Sequence, residues 1–534
     1  MKLALVAIHI EASPRAVPLG PAMLASALRR AFGLALQTQV LDLFLNQTPS
    51  QCAERILESS PDAVGFSMYL WNRTLALETA AILKQRRPDL IVFAGGAEAT
   101  ADLRGVLGDP SVDFVLPGEG EELIVEALGR ILQGASPADI AASVKPRPVK
   151  DLATLPTPFL EGTLRPADYS GALWELSRGC PFKCDFCFES RGTEGIRRIP
   201  MERVEAELEL FAASGVREVF VLDPTFNYHK AGAKQVLRLI ADRAPDIHFF
   251  FEIRSEFIDQ EMAELFAAIR CTLQIGLQSA HDEVLRSISR TFNAQDFEAK
   301  LLLLHQAGVP YGFDLIYGLP GDSLEGFCAS LDFAMSLVPN HLDVFRLSVL
   351  PGTRLAETAV GLGLQHQEQN PYQVLSSPTF SAEDLERAAR IALGCDVLYN
   401  QGRAVPWFGL VQEALEMPPS EIFERFATFL EHPESEDLTQ VQGAFIAALF
   451  EERGDDLMGS IAGDLVTYFG YAAELTEDGS ASRHASFQHD PEALLEQLQA
   501  GGSSLEELVF SVPSRPCEAL LSLQDGEVCL EILA

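Results

Sequence analysis

Two blocks of the chain alternate short, almost continuously apolar segments with helical patterns. In the first block, residues 3–8 (LALVAI) and 90–96 (LIVFAGG) are apolar throughout, and helical patterns at 20–32 and 73–87 lie between such segments. Strands that are apolar along their whole length belong to parallel sheets covered by helices on both faces. This alternation predicts an α/β chain whose N-terminal domain, residues 1–135, is doubly wound and Rossmann-like.

The second block has six candidate strands, at 172–179, 217–223, 248–254, 272–279, 311–318 and 343–350. Six strand–helix units predict a central, partial (β/α)6 barrel over residues 171–355, with its site at the carboxyl ends of the strands. Because 534 residues exceed what one core usually supports, several domains are expected. We interpret the proline-containing residues 136–170 as a linker, and residues 356–534 as a mainly helical C-terminal domain that could select the substrate.

Three cysteines follow the first strand of the second block in the spacing C-x3-C-x2-C. They are Cys180, Cys184 and Cys187. Thiolates suit zinc or iron–sulfur clusters, and a structural zinc site needs a fourth Cys or His. The nearest such residues are distant, at His229 and Cys271. Three thiolates on a four-iron cluster would instead leave one iron open for a ligand.

Charge and cysteine usage restrict the setting of the protein. The net charge of −36 argues against a nucleic-acid or anionic-membrane partner, which would need basic surface. Apolar runs are too short to span a bilayer, and the N-terminal residues do not have the pattern of a signal peptide. The nine cysteines are unevenly spaced and do not suggest a disulfide framework. We therefore expect a cytoplasmic protein without a membrane or nucleic-acid partner.

The cysteine motif, with Phe186 before its last cysteine, resembles that of the radical S-adenosylmethionine (SAM) enzymes. The resemblance implies a 4Fe-4S cluster whose open iron chelates SAM. It also implies cleavage of SAM to a 5′-deoxyadenosyl radical by an electron from an external donor such as flavodoxin or ferredoxin. The sequence assigns no catalytic residue beyond the three cluster ligands.

Further segments are similar to the SAM-facing motifs of that family, among them residues 273–279, 288–293, 313–323 and 349–355. Arg290 could pair with the SAM carboxylate, since an arginine fork suits carboxylates; the alternative is a solvated charge at a helix end. The resemblance implies these SAM-binding candidates: Phe186, Asp223, Thr225, Glu252, Arg254, Gln278, Ser279, Arg290, Tyr317, Gly318 and Leu319.

The N-terminal block resembles the cobalamin-binding subclass, in particular a poorly characterised branch with a distinct C-terminal domain. Residues 17–30, 92–100 and 112–121 carry the resemblance to the subclass, and residues 64–72 together with 223–227 carry the resemblance to the branch. Glycine-rich loops let backbone lie against a flat corrin ring. An Asp-x-His-x-x-Gly loop is absent around His9, so we expect no histidine ligand to cobalt from that loop. The alternative to a cobalamin-binding domain is an ordinary doubly wound domain that has lost its ligand. The cobalamin candidates are Ser67, Met68, Tyr69, Trp71, Gly95, Gly96, Glu98, Gly118, Glu119 and Gly120.

These resemblances predict a cobalamin-dependent radical SAM methyltransferase. Its substrate would be an unactivated carbon of a small molecule or natural-product precursor. One alternative is an enzyme of the same architecture that performs ring contraction, cyclisation or oxidation without methylation. Another is a cobalamin or iron–sulfur sensor without catalysis. Methylated product with S-adenosylhomocysteine would separate the first possibility from the others.

Overall fold

The computed structural model of the chain describes residues 1–189, 195–433, 435–478, 482–500, 504–524 and 526–533. The chain divides into two compact units. The first contains Met1–Ile275, Arg286–Pro310 and Ser348–Leu375, and the second contains Gly276–Leu285, Tyr311–Leu347 and Ser376–Ala534. These units do not coincide with the expected domains, whose boundaries at 135, 170 and 355 stay predictions.

The N-terminal part of the first unit is a five-stranded parallel sheet with helices between its strands. The strands are β1 (Lys2–His9), β2 (Gln37–Phe44), β3 (Ala63–Ser67), β4 (Ile91–Gly95) and β5 (Phe114–Leu116), in the order β2-β1-β3-β4-β5. The helices are α1 (Leu19–Phe32), α2 (Pro49–Leu57), α3 (Arg73–Arg86), α4 (Ala97–Ala101), α5 (Leu103–Leu107), α6 (Gly120–Leu132) and α7 (Pro137–Ser143).

Strand order reverses between β1 and β3, and ligands of such sheets bind where the order reverses, beyond the carboxyl ends of the strands. Two separate apolar clusters form the core of this sheet region. One includes Val6, Val64 and Val92; the other includes Leu5, Phe93 and Phe114. Successive residues of a strand therefore pack into clusters on opposite faces of the sheet, and both faces are covered. This arrangement confirms the predicted doubly wound domain.

The central part of the first unit continues with parallel strands. They are β6 (Gly171–Trp174), β9 (Glu218–Val221), β10 (His248–Ile253) and β11 (Cys271–Gln278), which pair in that order, while β7 (Ser177–Arg178) and β8 (Arg197–Arg198) form a short antiparallel pair. The helices of this part are α8 (Met201–Ala213), α9 (Lys230–Arg243), α10 (Gln260–Ala267) and α12 (Ala294–Gln306). The last residues of β11, from Gly276, and most of α11 (Asp282–Ser287) belong to the second unit. Trp174 is buried at the end of β6, and its indole N–H donates to Glu207 on α8 at 3.0 Å.

The second unit holds the parallel pair β12 (Tyr311–Tyr317) and β13 (His341–Arg346), joined by α13 (Leu324–Ser336). All six expected central strands are thus present, as β6 and β9–β13. Between Ser348 and Leu375, in the first unit, lie α14 (Arg354–Thr358) and β14 (Gln365–His366), and β15 (Val374–Ser376) follows.

The C-terminal region is mainly helical, as predicted, and ends in a small sheet. Its helices are α15 (Ala382–Cys395), α16 (Phe408–Leu415), α17 (Pro419–Phe429), α18 (Leu438–Arg453), α19 (Asp456–Asp478), α20 (Pro491–Gln499) and α21 (Leu505–Ser511). Antiparallel strands β16 (Ser482–His489), β17 (Ser514–Gln524) and β18 (Glu527–Leu533) pack on α19 around Leu475, Phe487 and Leu521. Among the described helices, none is long and apolar enough to cross a membrane.

Candidate active site

A cavity of about 1150 Å³ lies within the first unit, at the carboxyl ends of β1, β3 and β4. Its wall also includes Ser177 and Arg178, from the segment that leads into the cysteine loop. Large apolar side chains remain open to it: Ile10 is 60% exposed, Trp71 47% and Leu222 44%. Apolar surface left open inside a concave site indicates a ligand-binding surface.

The cavity collects most of the cobalamin candidates. Those that line it are Ser67, Tyr69, Trp71, Gly95, Gly96, Gly118, Glu119 and Gly120. Tyr69 and Trp71 stack with ring centroids 4.6 Å apart, and the Trp71 indole donates to the Ile8 carbonyl at 3.2 Å. These contacts fix two flat aromatic faces beside the end of β1.

Met68 and Glu98 are placed differently. Met68 is buried in the core of the sheet domain. Glu98 is 4% exposed; its carboxylate accepts hydrogen bonds from Arg73 and from the Tyr372 hydroxyl, both at 2.6 Å. Neither residue lines the cavity, and the ion pair of Glu98 ties α4 to α3.

A network of buried charges joins the turn before α6 to the segment before the cysteines. The Arg178 guanidinium lies 2.6 Å from the Glu121 carboxylate, 2.8 Å from Glu175 and 3.3 Å from Glu119. Glu119 also accepts hydrogen bonds from Arg197 and from the Val149 amide. Burial raises the pKa of Glu119, but the bonds from Arg197 and Val149 and the charge of Arg178 outweigh it and hold the pKa below its ordinary value.

The three cysteines lie in a loop directly after β7. Cys184 is buried, while Cys180 and Cys187 are partly exposed, and none forms a disulfide within the described chain. The Cys187 amide donates to the Cys184 carbonyl at 3.1 Å, and the Asp185 amide donates to the Ile288 carbonyl at 3.0 Å. Burial raises the pKa of the Cys180 thiol, and it raises the pKa of Cys187 to about 11. A coordinating metal deprotonates a thiol outright, so the raised pKa values do not prevent these sulfurs from binding a cluster as thiolates.

Two of the SAM candidates contact the cysteine loop or the segment that leads into it. Asp223 accepts from the amides of Leu176 and Ser177 at 2.9 and 3.0 Å, which anchors the segment before the loop. The Arg254 guanidinium stands 3.9 Å from the Phe182 ring centroid and pairs with Glu256.

Arg290 lies with its guanidinium 4.0 Å from the Cys184 sulfur. Its positive charge is thus available to stabilise a thiolate.

The other SAM candidates of the first unit are close to these elements. The Thr225 hydroxyl donates to the Pro224 carbonyl at 2.7 Å and hydrogen-bonds the Cys180 thiol. Glu252 is exposed on β10, and Phe186 is partly exposed beside Cys187. No SAM candidate is among the residues lining the cavity.

The remaining SAM candidates belong to the second unit. Gln278 ends β11 in a left-handed backbone conformation (φ 67°), and Ser279 is buried with its hydroxyl 3.3 Å from that of Ser330. Tyr317 is buried, which raises its pKa, and packs on Phe327. Gly318 has φ 84°, a conformation that suits glycine, and Leu319 is fully buried after it.

The residues present fit the cofactors that the sequence motifs imply. Soft thiolates suit an iron–sulfur cluster, and flat apolar faces with glycine turns suit a corrin. Within the described ranges, no group of three or more His, Cys, Asp or Glu side chains converges on a single metal position. A four-iron cluster does not need such convergence, because each thiolate binds a different iron.

Of the charged residues in the cavity wall, the sequence analysis singled out only Glu119; those it missed include Arg15, Glu121, Glu175 and Arg178. Glu121 and Arg178 lie within or beside motifs that the sequence analysis singled out, so proximity to those motifs was an available signal. Arg15 lies in the loop after β1, and its position at the end of a strand was only a weak indication that it lines a ligand site.

Two family models match the chain. The Radical SAM superfamily model matches residues 174–334, and the B12 binding domain model matches residues 6–128. A radical SAM domain implies a 4Fe-4S cluster and SAM, and a B12-binding domain implies cobalamin. The two matched regions contain the cysteine loop and the glycine turns of the cavity, respectively.

Two relatives of known name match part of the chain. The cobalamin-dependent radical SAM methyltransferase TokK of Streptomyces tokunonensis is 26% identical over 347 residues, which is 59% of this chain and 50% of TokK. The 2-(S-pantetheinyl)-carbapenam-3-carboxylate methyltransferase of Streptantibioticus cattleyicolor is 28% identical over 343 residues, 58% of this chain and 50% of that protein. The chain thus spans about half the length of these relatives.

A solved structure shares the fold. The radical SAM methyltransferase TsrM of Kitasatospora setae, with cobalamin and a 4Fe-4S cluster bound, aligns with a TM-score of 0.56 and 21% identity, over 72% of this chain and 84% of TsrM. The two family models, the named relatives and this shared fold agree. The chain belongs to the cobalamin-binding radical SAM family.

Proposed function

We propose that the protein is a cobalamin-dependent radical SAM methyltransferase that methylates an unactivated carbon of a small molecule. One observation carries the proposal: a single cavity is lined both by the glycine turns of the N-terminal sheet and by Ser177, Arg178 and Gly179, which lead directly into the cysteine loop. A methyl donor and a radical source must reach the same substrate carbon, and a shared cavity meets that requirement.

When bound, cobalamin supplies a transferable methyl group, and the cluster with SAM supplies a radical that removes a hydrogen atom. In this proposal Cys180, Cys184 and Cys187 hold the cluster, while Gly95 and Gly118 let backbone approach the corrin. Arg290 offsets the negative charge of the thiolates from its position beside Cys184. The apolar side chains that line the cavity exclude water, which protects a reactive radical from side reactions.

The chain's own residues also keep the two halves of the site in place. Arg178 forms ion pairs with Glu121 on α6 and with Glu175 at the end of β6. These ion pairs connect the start of α6 to the segment that leads into the cysteine loop. Asp223 holds the amides of Leu176 and Ser177. Such support matters because a misplacement of about 1 Å can cost on the order of a hundredfold in rate.

The substrate in this proposal is a small molecule, and the electron comes from an external carrier such as flavodoxin or ferredoxin. The names of two relatives point to small acids: one acts on a carbapenam-3-carboxylate, and a second TsrM structure holds its tryptophan substrate. The acidic composition of this chain disfavours a nucleic acid as the substrate.

The products of SAM test the proposal. Protein prepared without oxygen is incubated with SAM, a chemical reductant and a small-molecule extract, and both 5′-deoxyadenosine and S-adenosylhomocysteine are measured. We expect both products from the wild type and neither from Cys184→Ala, whereas Cys328→Ala, outside the loop, should behave as wild type. Deoxyadenosine without S-adenosylhomocysteine would indicate the non-methylating alternative, and neither product would indicate a sensor.

A further inference from the structure

Four arginines line the cavity, and three of them are paired with carboxylates. Arg147 lies 2.8 Å from Glu126, Arg178 lies 2.6 Å from Glu121, and Arg197 pairs with Glu119. The fourth, Arg15, has no ion pair or side-chain hydrogen bond within the described part of the chain. It lies on the loop after β1 and is exposed.

The Arg15 guanidinium lies against a pair of aromatic rings. Its central carbon lies 4.5 Å from the ring centroid of Phe220 and 5.6 Å from that of Phe250, and the two rings stack 4.5 Å apart. A cation over an aromatic face is attracted by the ring quadrupole. A guanidinium carries five N–H donors, and phenyl rings offer these donors no oxygen or nitrogen acceptor, so a ligand with an anionic oxygen can use them.

The surroundings make this charge distinctive. The chain has a net charge of −36, and five carboxylates line the cavity: Glu11, Glu119, Glu121, Glu175 and Glu189. An anion entering such a cavity meets repulsion unless a cation receives it. The other three cavity arginines already have carboxylate partners, so Arg15 is the cation best placed for this role.

We propose that Arg15 is an oxyanion receptor, which binds a carboxylate or phosphate group of a molecule in the cavity through charge-assisted hydrogen bonds. The inference rests on the proposed function, because the cavity must hold cobalamin and a substrate. Two sources offer this chemistry: the phosphodiester of the cobalamin nucleotide tail, and an acidic group of the substrate. Phe220 and Phe250 orient Arg15 for either one.

Binding of two corrinoids distinguishes the sources. Cobinamide has the corrin ring of cobalamin without the nucleotide and its ring-linked phosphodiester. Both are titrated into wild-type protein, Arg15→Gln and Arg15→Lys, with Arg243→Gln as the control: Arg243 ends α9, pairs with Glu209 at 3.0 Å and does not line the cavity. If Arg15 binds the phosphodiester, Arg15→Gln weakens cobalamin binding about tenfold to a hundredfold and leaves cobinamide unchanged. Arg15→Lys, which keeps the charge, loses less, and the control binds both as wild type does.

The second source is tested with selenate as the oxyanion probe. If Arg15→Gln leaves cobalamin binding unchanged, selenate is titrated calorimetrically into cobalamin-loaded protein. We then expect selenate to bind the wild type and Arg243→Gln, and to lose at least tenfold in affinity for Arg15→Gln. Equal binding of cobalamin, cobinamide and selenate by wild type and Arg15→Gln would overturn the inference, as would an equal loss of cobalamin and cobinamide. Failure of the proposed function would give a different result from failure of this inference, because the wild type itself would then bind neither cobalamin nor cobinamide.

Discussion

Gly96, after β4, has a backbone conformation that only glycine adopts easily. Its φ is 100° and its ψ is 179°. A Cβ built there would lie 2.6 Å from the Met68 carbonyl oxygen and 3.0 Å from the Met68 nitrogen. Since both neighbours are backbone atoms, Gly96→Ala can be accommodated only if the loops after β3 and β4 move apart.

The cost of Gly96→Ala follows from these contacts. Backbone strain in this region is worth about 1–3 kcal/mol. Separation of the loops would also weaken two hydrogen bonds, from the Met68 amide to the Gly95 carbonyl at 2.7 Å and from the Glu98 amide to the Met68 carbonyl at 3.2 Å, each worth about 1 kcal/mol. If both bonds were lost, the sum would be about 3–5 kcal/mol. Because both loops line the cavity, we expect cobalamin affinity to fall roughly tenfold or more.

Spectrophotometric titration of cobalamin, with thermal unfolding alongside, measures both parts of this cost. Gly409→Ala is the control: Gly409 lies on α16, does not line the cavity, and a Cβ built there would have no atom within 4 Å. The control should bind cobalamin within about threefold of wild type. If Gly96→Ala bound cobalamin and unfolded as the wild type does, the reasoning from its backbone conformation would be refuted.

Two further predictions concern buried charges. Arg178→Gln leaves the carboxylates of Glu121 and Glu175 without their cation, which costs about 3 kcal/mol of stability, and the thermal midpoint of unfolding should fall. Adding Glu121→Gln should recover part of this loss. If the effects of the two changes were simply additive, the coupling between Arg178 and Glu121 would be contradicted. Burial raises the pKa of Asp322 to about 6, so the folded protein still holds this proton at pH values where the unfolded chain has released it. As the pH rises from about 4 to about 6, the free energy of unfolding should therefore decrease by roughly 3 kcal/mol. Asp322→Asn should flatten that slope in denaturant titrations at pH 4, 5 and 6, and an unchanged slope would disprove the assignment.

The sequence predicted the elements that local patterns determine. Strand β1 is apolar along its length because both faces of the sheet are covered, and the glycine turns after β4 and β5 lie at the predicted edge. The position of the cysteine loop after β7 also agrees with its expected place beyond the first central strand.

Pairings between distant residues could not be read from one sequence. Arg178 and Glu119 are 59 positions apart and meet only in the folded chain. Glu98 was a cobalamin candidate by its motif, yet its partners Arg73 and Tyr372 are 25 and 274 positions away. The motif singled out Gly96 because a glycine makes room for a corrin. The structure adds a second reason for a glycine at this position: a Cβ there would collide with the Met68 backbone.

The central claim is that one chain holds an iron–sulfur cluster and cobalamin at a shared cavity. Iron, sulfide and cobalt content of protein purified without oxygen from cells supplied with cobalamin tests it most directly, with the absorption spectrum. The account predicts about four irons and one cobalt per chain. It also predicts that the combined changes Cys180→Ala, Cys184→Ala and Cys187→Ala remove the iron and leave the cobalt. Four irons without cobalt would contradict the account.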